Sequence, residues 1–552
     1  MLKENLVEYI EQTIKKNWDL PAFTNYKGET VRFGDVAEKI VWMHYIFQHS
    51  NVKPGDKIAL IGKNSINWAV TYLATVTYGA VAVPGLPDFH SDDLQHIVNH
   101  SDSVFLFAAD DIFERLDENK MPEIKAIFSL NDFRLLHHKK GNITQILEAA
   151  ASHVLSQKTF DMRPEKFSLK KVPNEALAAI VYTSGTTGFS KGVMIPHNSL
   201  TANVRYALNN LPLHPRENIV SFLPLAHAFG CAFDFLYPFV EGCHIVFISK
   251  IPTPQILLEA FKQVRPRLVS SVPLIMEKIY KNRIKPKLDK KAIDFLRKVP
   301  LISNGIDSKI KQGLVEAFGG NFHMVVIGGA ALSTEVEGFL MKIGFPFTIG
   351  YGMTECGPLI SYTPWDKHRR FAVGKVVDTL DIKIDSTDPE KVVGEIMVKG
   401  ENLMYGYYKN EEDTKAVLTE DGWLRTGDLG LIDKDGYIYI KGRSKTMMLG
   451  PSGENIYPEA IESKLNSLTL VGESLVLEKN GKFMALVYPD MEMVDKLKLD
   501  EKEIAERMEE NRKTLNSLMP SWINIAKIYI HPEEFEKTPT KKVKRFLYTI
   551  PD

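Results

Sequence analysis

The stretch from Ala176 to Ile195 constrains this chain more than any other. It opens with an apolar, β-branched run from Ala176 to Tyr182, which predicts a buried strand. A polar segment follows: Thr183-Ser184-Gly185-Thr186-Thr187-Gly188-Phe189-Ser190-Lys191-Gly192. Val193-Met194-Ile195 then restarts an apolar run, so the polar segment is predicted to join two strands. Glycine lets backbone N–H groups turn inward and approach an anion. The hydroxyls add neutral donors, and Lys191 adds a point charge. A lone Ser/Thr/Gly run is usually a turn, but this ordered mixture between two apolar strands fits a phosphate-holding loop. It is not the common phosphate loop, in which four residues separate the first glycine from Gly-Lys-Ser/Thr. Here Lys191 precedes a glycine, and no helix start follows to add its dipole.

A chain of 552 residues is too long for one core, so at least two domains are expected. Its 44% apolar and 25% charged residues are ordinary for a soluble globular protein. A formal net charge of −1 leaves no electrostatic footprint for nucleic acid. Met1 to Asn17 is charged and lacks the apolar centre of a signal peptide. No run approaches the ~20 apolar residues of a spanning helix, which leaves room only for peripheral membrane contact. Cys231, Cys243 and Cys356 have no metal-ligand spacing and form no disulfide framework. A reducing, cytoplasmic setting is the default expectation.

The first 50 residues or so read as helix, hairpin, helix, with short strands at Phe23 to Tyr26 and Glu29 to Phe33 around a Lys27-Gly28 turn. Strands are then expected at Lys57 to Ile61, Ala80 to Pro84 and Val104 to Ala108, with helices at Trp68 to Tyr78 and Asp92 to Asn99. Such alternation predicts a mostly parallel sheet with helical crossovers. Asn198 is expected to cap a helix running to about Asn209. The aromatic density between Ile219 and Phe239 reads mainly as core, and a lone His227 is more often structural than catalytic.

Further motifs carry chemistry. Met324 to Leu332 reads as a strand and a glycine turn, Gly328-Gly329-Ala330. In Thr348-Ile349-Gly350-Tyr351-Gly352-Met353-Thr354-Glu355, Tyr351 offers a flat face for a purine between two glycines. Thr354 offers a hydroxyl to a phosphate, and Glu355 beside a phosphate makes sense with Mg²⁺ between them. Asp428, in Gly422-Trp423-Leu424-Arg425-Thr426-Gly427-Asp428, is read as following a tight turn and accepting from ribose hydroxyls. A hairpin is expected at Glu473 to Glu478 and Lys482 to Tyr488. The chain nears its end with a basic run, Lys537-Thr538-Pro539-Thr540-Lys541-Lys542-Val543-Lys544-Arg545.

Tyr182 to Gly192 resembles the phosphate loop of the adenylate-forming enzymes, which include acyl-CoA synthetases, peptide-synthetase adenylation domains and luciferases. The resemblance continues through the later motifs in order and covers essentially the whole chain. It implies an α/β fold: a large multi-subdomain N-terminal α/β domain, 1–444, that binds ATP and the acyl group, and a small, hinged α+β C-terminal domain, 445–552. It places ATP on Thr183, Ser184, Gly185, Thr186, Thr187, Gly188, Lys191, Gly329, Ala330, Gly350, Tyr351, Gly352, Met353, Thr354, Asp428 and Arg443. His227 and Phe229 would line the acyl substrate, Glu355 would hold the metal, and Lys445 would be the hinge. By register from Thr538-Pro539-Thr540, Lys542 is the catalytic lysine, acting with Thr354 and Glu355; Lys541 and Lys544 are its rivals. Gly450 to Glu459 departs from the usual spacing.

The resemblance implies two half-reactions: ATP and a carboxylic acid give acyl-AMP and pyrophosphate, then coenzyme A takes the acyl group. Val269 to Tyr280 resembles the segment found in long-chain acyl-CoA synthetases, and the segments around Leu223 to Gly230 and Ser271 to Tyr280 lean to medium- or long-chain fatty acids. The alternatives are transfer to an acyl-carrier protein and activation of an aryl acid. A non-catalytic nucleotide-binding regulator is disfavoured by the intact Glu355, Asp428 and Lys542, and a P-loop kinase by the loop spacing. Oligomeric state is left open between monomer and homodimer.

Overall fold

The computed structural model describes residues 1–139, 143–159, 162–183, 191–249, 253–288, 300–449, 455–520, 523–538 and 543–551. Five of the expected ATP contacts, Ser184, Gly185, Thr186, Thr187 and Gly188, lie outside the described residues, as do Gly450 to Glu454, Lys541 and Lys542.

Two seven-stranded sheets organise the large part of the chain. The first runs Leu135–His138, Ala126–Ser129, Ser103–Ala108, Lys57–Ile61, Val81–Gly85, Leu177–Thr183, Lys191–Pro196. Its central strands are parallel, and both edge pairs are antiparallel. The polar loop therefore leaves one strand and returns as the antiparallel edge strand, with Thr183 and Lys191 facing each other in register. Val181 and Ile195 are buried on these strands, as their apolar pattern predicts.

The second sheet runs Phe347–Ile349, Met324–Ile327, Leu268–Ser271, Asn218–Ser221, His244–Phe247, Pro21–Asn25, Thr30–Arg32. The N-terminal hairpin forms as expected, and its first strand pairs in parallel with His244–Phe247. Phe23 accordingly packs against Phe235, Phe239 and Phe247, with ring centroids 5.2 to 6.0 Å apart. All four are buried, so this density is core. Burying each ring contributes roughly 1.5–3 kcal/mol.

Three smaller sheets complete the description relevant to the site. Tyr351–Gly352 pairs with Leu359–Tyr362, and that strand with Lys375–Val376. Leu380–Asp385, Gly394–Gly400, Leu424–Ile432 and Ile438–Arg443 form an antiparallel meander. Near the C-terminus, Val471–Lys479 and Lys482–Pro489 form the expected hairpin, joined in parallel by Ile525–Ile530. Helices Pro458–Asn466 and Glu501–Leu518 lie with this sheet, the second started by an Asp500/Glu503 capping box. Two apolar clusters in this region draw their buried residues from Ile456 to Ile550 alone.

Polar contacts tie this C-terminal region to the helical segment before Lys285. Lys281 Nζ reaches Asp490 at 3.1 Å and donates to the Val471 carbonyl at 2.6 Å. Lys285 Nζ pairs with Glu335 at 3.0 Å and donates to the Ser467 carbonyl at 3.2 Å.

Two expectations need correction. The helix His197–Asn210 exists, but Asn198 lies inside it and makes no cap bond. Its amide oxygen accepts from Leu2 N–H, and its nitrogen donates to Glu401. Asp428 does not follow a turn; it sits within the strand Leu424–Ile432, opposite Arg443.

Candidate active site

The strand Met324–Ile327 ends at Gly328 and Gly329, and Gly329 has φ +88°. That conformation suits glycine, and it leaves open space where a side chain would stand. The neighbouring strand Phe347–Ile349 delivers Gly350, Tyr351, Gly352, Met353 and Thr354 to the same edge. Both sets line one cleft. Phe229, Phe233, Leu268 and Leu211 give the same cleft apolar wall, and Phe229 stands against Gly328, where an added Cβ would lie 3.2 Å from its ring. Glycine backbone and apolar side chains thus share the wall of one cavity, a common make-up for a ligand pocket.

His227 also lines the cleft, and its Nδ1 accepts from Phe229 N–H at 3.3 Å at the start of the short helix Ala228–Cys231. Phe229 packs toward Phe233, with centroids 5.9 Å apart. Both expected substrate-lining residues are therefore on the cleft wall. Sequence reasoning missed Phe233, Leu268, Ser270 and Tyr362 as lining residues, because their place follows from the order of strands in the sheet. Asp234, next in sequence to the cleft-lining Phe233, is buried, accepting from Leu223 N–H and hydrogen-bonded to the cleft-lining Ser270. Burial pushes its carboxyl up to about 7.

Tyr351, Asp428 and Arg443 meet as a cluster. The Tyr351 phenol donates to Asp428 Oδ2 at 2.8 Å, and Arg443 Nε reaches Asp428 Oδ1 at 2.9 Å. Asp428 is buried, and Arg443 is half-exposed at the strand end. Proximity to Asp428 holds the Arg443 guanidinium above its ordinary pKa. A carboxylate has about four acceptor sites, so these two contacts leave acceptor capacity for ribose hydroxyls.

Thr354 begins a short helical turn, and Glu355 follows it. Glu355 Oε1 accepts from the Tyr407 phenol at 2.9 Å, while Oε2 has no hydrogen-bond partner among the described residues. Magnesium is commonly held by one or two carboxylates together with substrate phosphates and water. Among the described residues no group of three or more His, Cys, Asp or Glu forms a protein cage, and Glu355 fits the shared arrangement.

Lys191 lies at the loop exit, paired with Asp413 at 2.7 Å and with its Nζ 5.0 Å from the Tyr407 ring centroid. The Lys191 hydrogen bond is the main cause that holds the Asp413 carboxyl below its ordinary range, and Lys445 adds a smaller attraction. Tyr407 and Asp413 were not legible as site residues. Their contacts depend on Tyr405 and Tyr408 N–H groups pairing with Met194 and Gly192 carbonyls beside the loop.

Lys445 is exposed in the turn directly after Arg443. At the other expected catalytic segment, Lys537 and Val543 form an antiparallel bridge. Lys544 pairs with Glu536, and Arg545 is bidentate to Glu462 at 2.7 Å.

Residues 10–408 match the family described as AMP-binding enzyme. Long-chain-fatty-acid–CoA ligase FadD15 of Mycobacterium bovis is 27% identical over 537 residues, covering 90% of this chain and 86% of its own. Among solved structures, the anthranilate CoA ligase AuaEII in complex with anthranoyl-AMP superposes with a TM-score of 0.79 at 18% identity, covering 99% of this chain and 97% of its own. O-succinylbenzoate coenzyme A synthetase from Bacillus subtilis, in complex with ATP and magnesium ion, gives a TM-score of 0.74 at 20% identity, covering 98% of each chain. The two structural likenesses establish the α/β fold.

Proposed function

The chain belongs to the AMP-binding enzyme family, and from that premise we propose that its cleft activates a medium- or long-chain fatty acid. The protein is an AMP-forming acid–CoA ligase that uses ATP, Mg²⁺ and coenzyme A. The observation that carries the acyl reading is the continuity of one cleft from Gly329 and Tyr351 to Phe233 and Leu211.

In the first half-reaction a carboxylate oxygen attacks the α-phosphorus of ATP, and the bond to pyrophosphate breaks. In the second, the thiol sulfur of coenzyme A attacks the acyl carbon, the bond to AMP breaks, and the thiol proton leaves to solvent. The carboxylate is already a nucleophile, so the protein's task is alignment and charge neutralisation. Tyr351 offers its ring to adenine beside Gly329 and Ala330. Asp428 holds the ribose hydroxyls, and Arg443 orients Asp428. Thr354, Lys191 and the loop from Thr183 hold the phosphates; Glu355 would hold Mg²⁺, which would supply charge neutralisation there. Lys542 bridges the acyl carboxylate and the α-phosphate. His227 and Phe229 border the acyl group.

Residues 1–444 form the ATP- and acyl-binding domain and 445–552 a mobile domain carrying Lys542, turning about Lys445 between half-reactions. The separate apolar clusters after Ile456 support that division. Among the described residues no helix is long and apolar enough to cross a membrane. A cytoplasmic setting with peripheral membrane contact, as a monomer or homodimer, completes the reading.

ATP–pyrophosphate exchange across saturated fatty acids of graded length and a set of aryl acids tests it, followed by thioester formation with coenzyme A. An alkyl-chain optimum with thioester formation is expected. Exchange with aryl acids alone, or acyl transfer only to a carrier protein, would replace it with those alternatives.

A further inference from the structure

Tyr407 stands between two charged side chains, Glu355 and Lys191, beside the polar loop. Its phenol donates to Oε1 of Glu355 at 2.9 Å, and its ring faces Lys191 Nζ at 5.0 Å. The residue is only 8% exposed. Its backbone is held on both sides: Tyr407 N–H donates to Thr414 Oγ1 at 2.9 Å, and Met404 N–H donates to the Glu355 carbonyl at 2.9 Å. Tyr408 N–H and Tyr405 N–H pair with the Gly192 and Met194 carbonyls on the strand that carries Lys191.

We propose that Tyr407 is the positioning residue of the metal and phosphate end. It fixes Oε1 of Glu355 so that Oε2 is presented to Mg²⁺, and its ring steadies Lys191 beside the loop. The inference rests on the reading of Glu355 as metal ligand and Lys191 as phosphate contact. Partners that orient a metal ligand typically change metal affinity by about 10–100-fold when removed.

ATP binding to the full-length chain, titrated calorimetrically over a series of Mg²⁺ concentrations without acid substrate, reads this without turnover. Tyr407→Phe removes one oxygen and keeps the ring. The Mg²⁺ concentration giving half-maximal enhancement of ATP affinity should rise roughly tenfold, while ATP affinity in excess EDTA stays at the wild-type value. Glu355→Gln should shift the Mg²⁺ dependence at least as far, and adding Tyr407→Phe to it should change nothing more. Tyr407→Leu, which also loses the ring, should weaken ATP binding in EDTA as well. Unchanged Mg²⁺ dependence in Tyr407→Phe, beside a shifted Glu355→Gln, would overturn the inference and leave the metal assignment standing. An equal loss with and without Mg²⁺ would assign Tyr407 a packing role and overturn it too. An unshifted Glu355→Gln would remove the metal assignment itself.

Discussion

Asp428 receives a phenol and a guanidinium from opposite sides, so its carboxylate is oriented before any ligand arrives. The proposed role of Lys542 makes it the residue on which the first half-reaction would depend most. Lys542→Ala should abolish acyl-AMP formation yet spare thioester formation from supplied acyl-AMP, because only the first step needs a cation between carboxylate and phosphate. The reverse ranking, with Lys541→Ala giving the large loss, would reassign the role. A second residue prediction concerns Asp234, whose folded pKa is raised from 3.8 to about 7 by burial. A raised pKa means that the folded state binds the proton more tightly. The contribution is therefore fully present below about pH 4 and is lost as pH rises through about 7. Asp234→Asn should remove that loss, gaining up to about 4 kcal/mol at pH 8 relative to pH 4; urea midpoints of both proteins at the two pH values would check it. Tyr351, Thr354, Glu355 and Asp428 were legible in the sequence because each stands in a motif with its own chemistry. Tyr407 and Asp413 were not: nothing in Met404 to Tyr408 says which tyrosine turns toward Glu355 until the segment is paired beside the loop.

At the scale of elements, the alternating strands from Lys57 to Ala108 and both strands flanking the polar loop were readable from apolar runs alone. The Pro21–Asn25 hairpin strand was also readable, but its partner was not. Pairing with His244–Phe247 is a long-range choice that local pattern does not encode. Asn198 misled because a capping residue type stood near a helix start, whereas its amide is used to join Leu2 and Glu401. The short Tyr351–Gly352 strand gives the sharpest element-level test. A Cβ at Gly352 would lie 2.1 Å from the carbonyl oxygen of Pro358, the residue just before its partner strand. Neither backbone can yield without moving Tyr351 or Met353, both on the cleft wall. Gly352→Ala should cost about 1–3 kcal/mol in stability and weaken ATP binding together with it. Equilibrium urea unfolding and nucleotide titration would show whether the two losses travel together.

At the scale of the whole molecule, two chemistries share one site, which calls for two arrangements of its parts. Lys445, exposed in the turn two residues after the Arg443 that touches Asp428, is the position we propose as the hinge. Proline there fixes φ near −65° and restricts Ser444 as well. Lys445→Pro should form acyl-AMP at a near-normal rate but transfer it to coenzyme A at least ~100-fold more slowly, a barrier increase of about 2.7 kcal/mol. Single-turnover rates for each half-reaction decide; equal, small effects on both would remove Lys445 as the pivot. The two lysines that join the C-terminal region to the rest, Lys281 and Lys285, add a different consequence. Both side chains are partly exposed, so their attraction to Asp490 and to the carbonyl dipoles of Val471 and Ser467 is screened by mobile ions. Ionic strength then acts as a throttle on this arrangement: raising salt should speed whichever half-reaction requires leaving it and slow the other, and Lys281→Ala should flatten both salt responses.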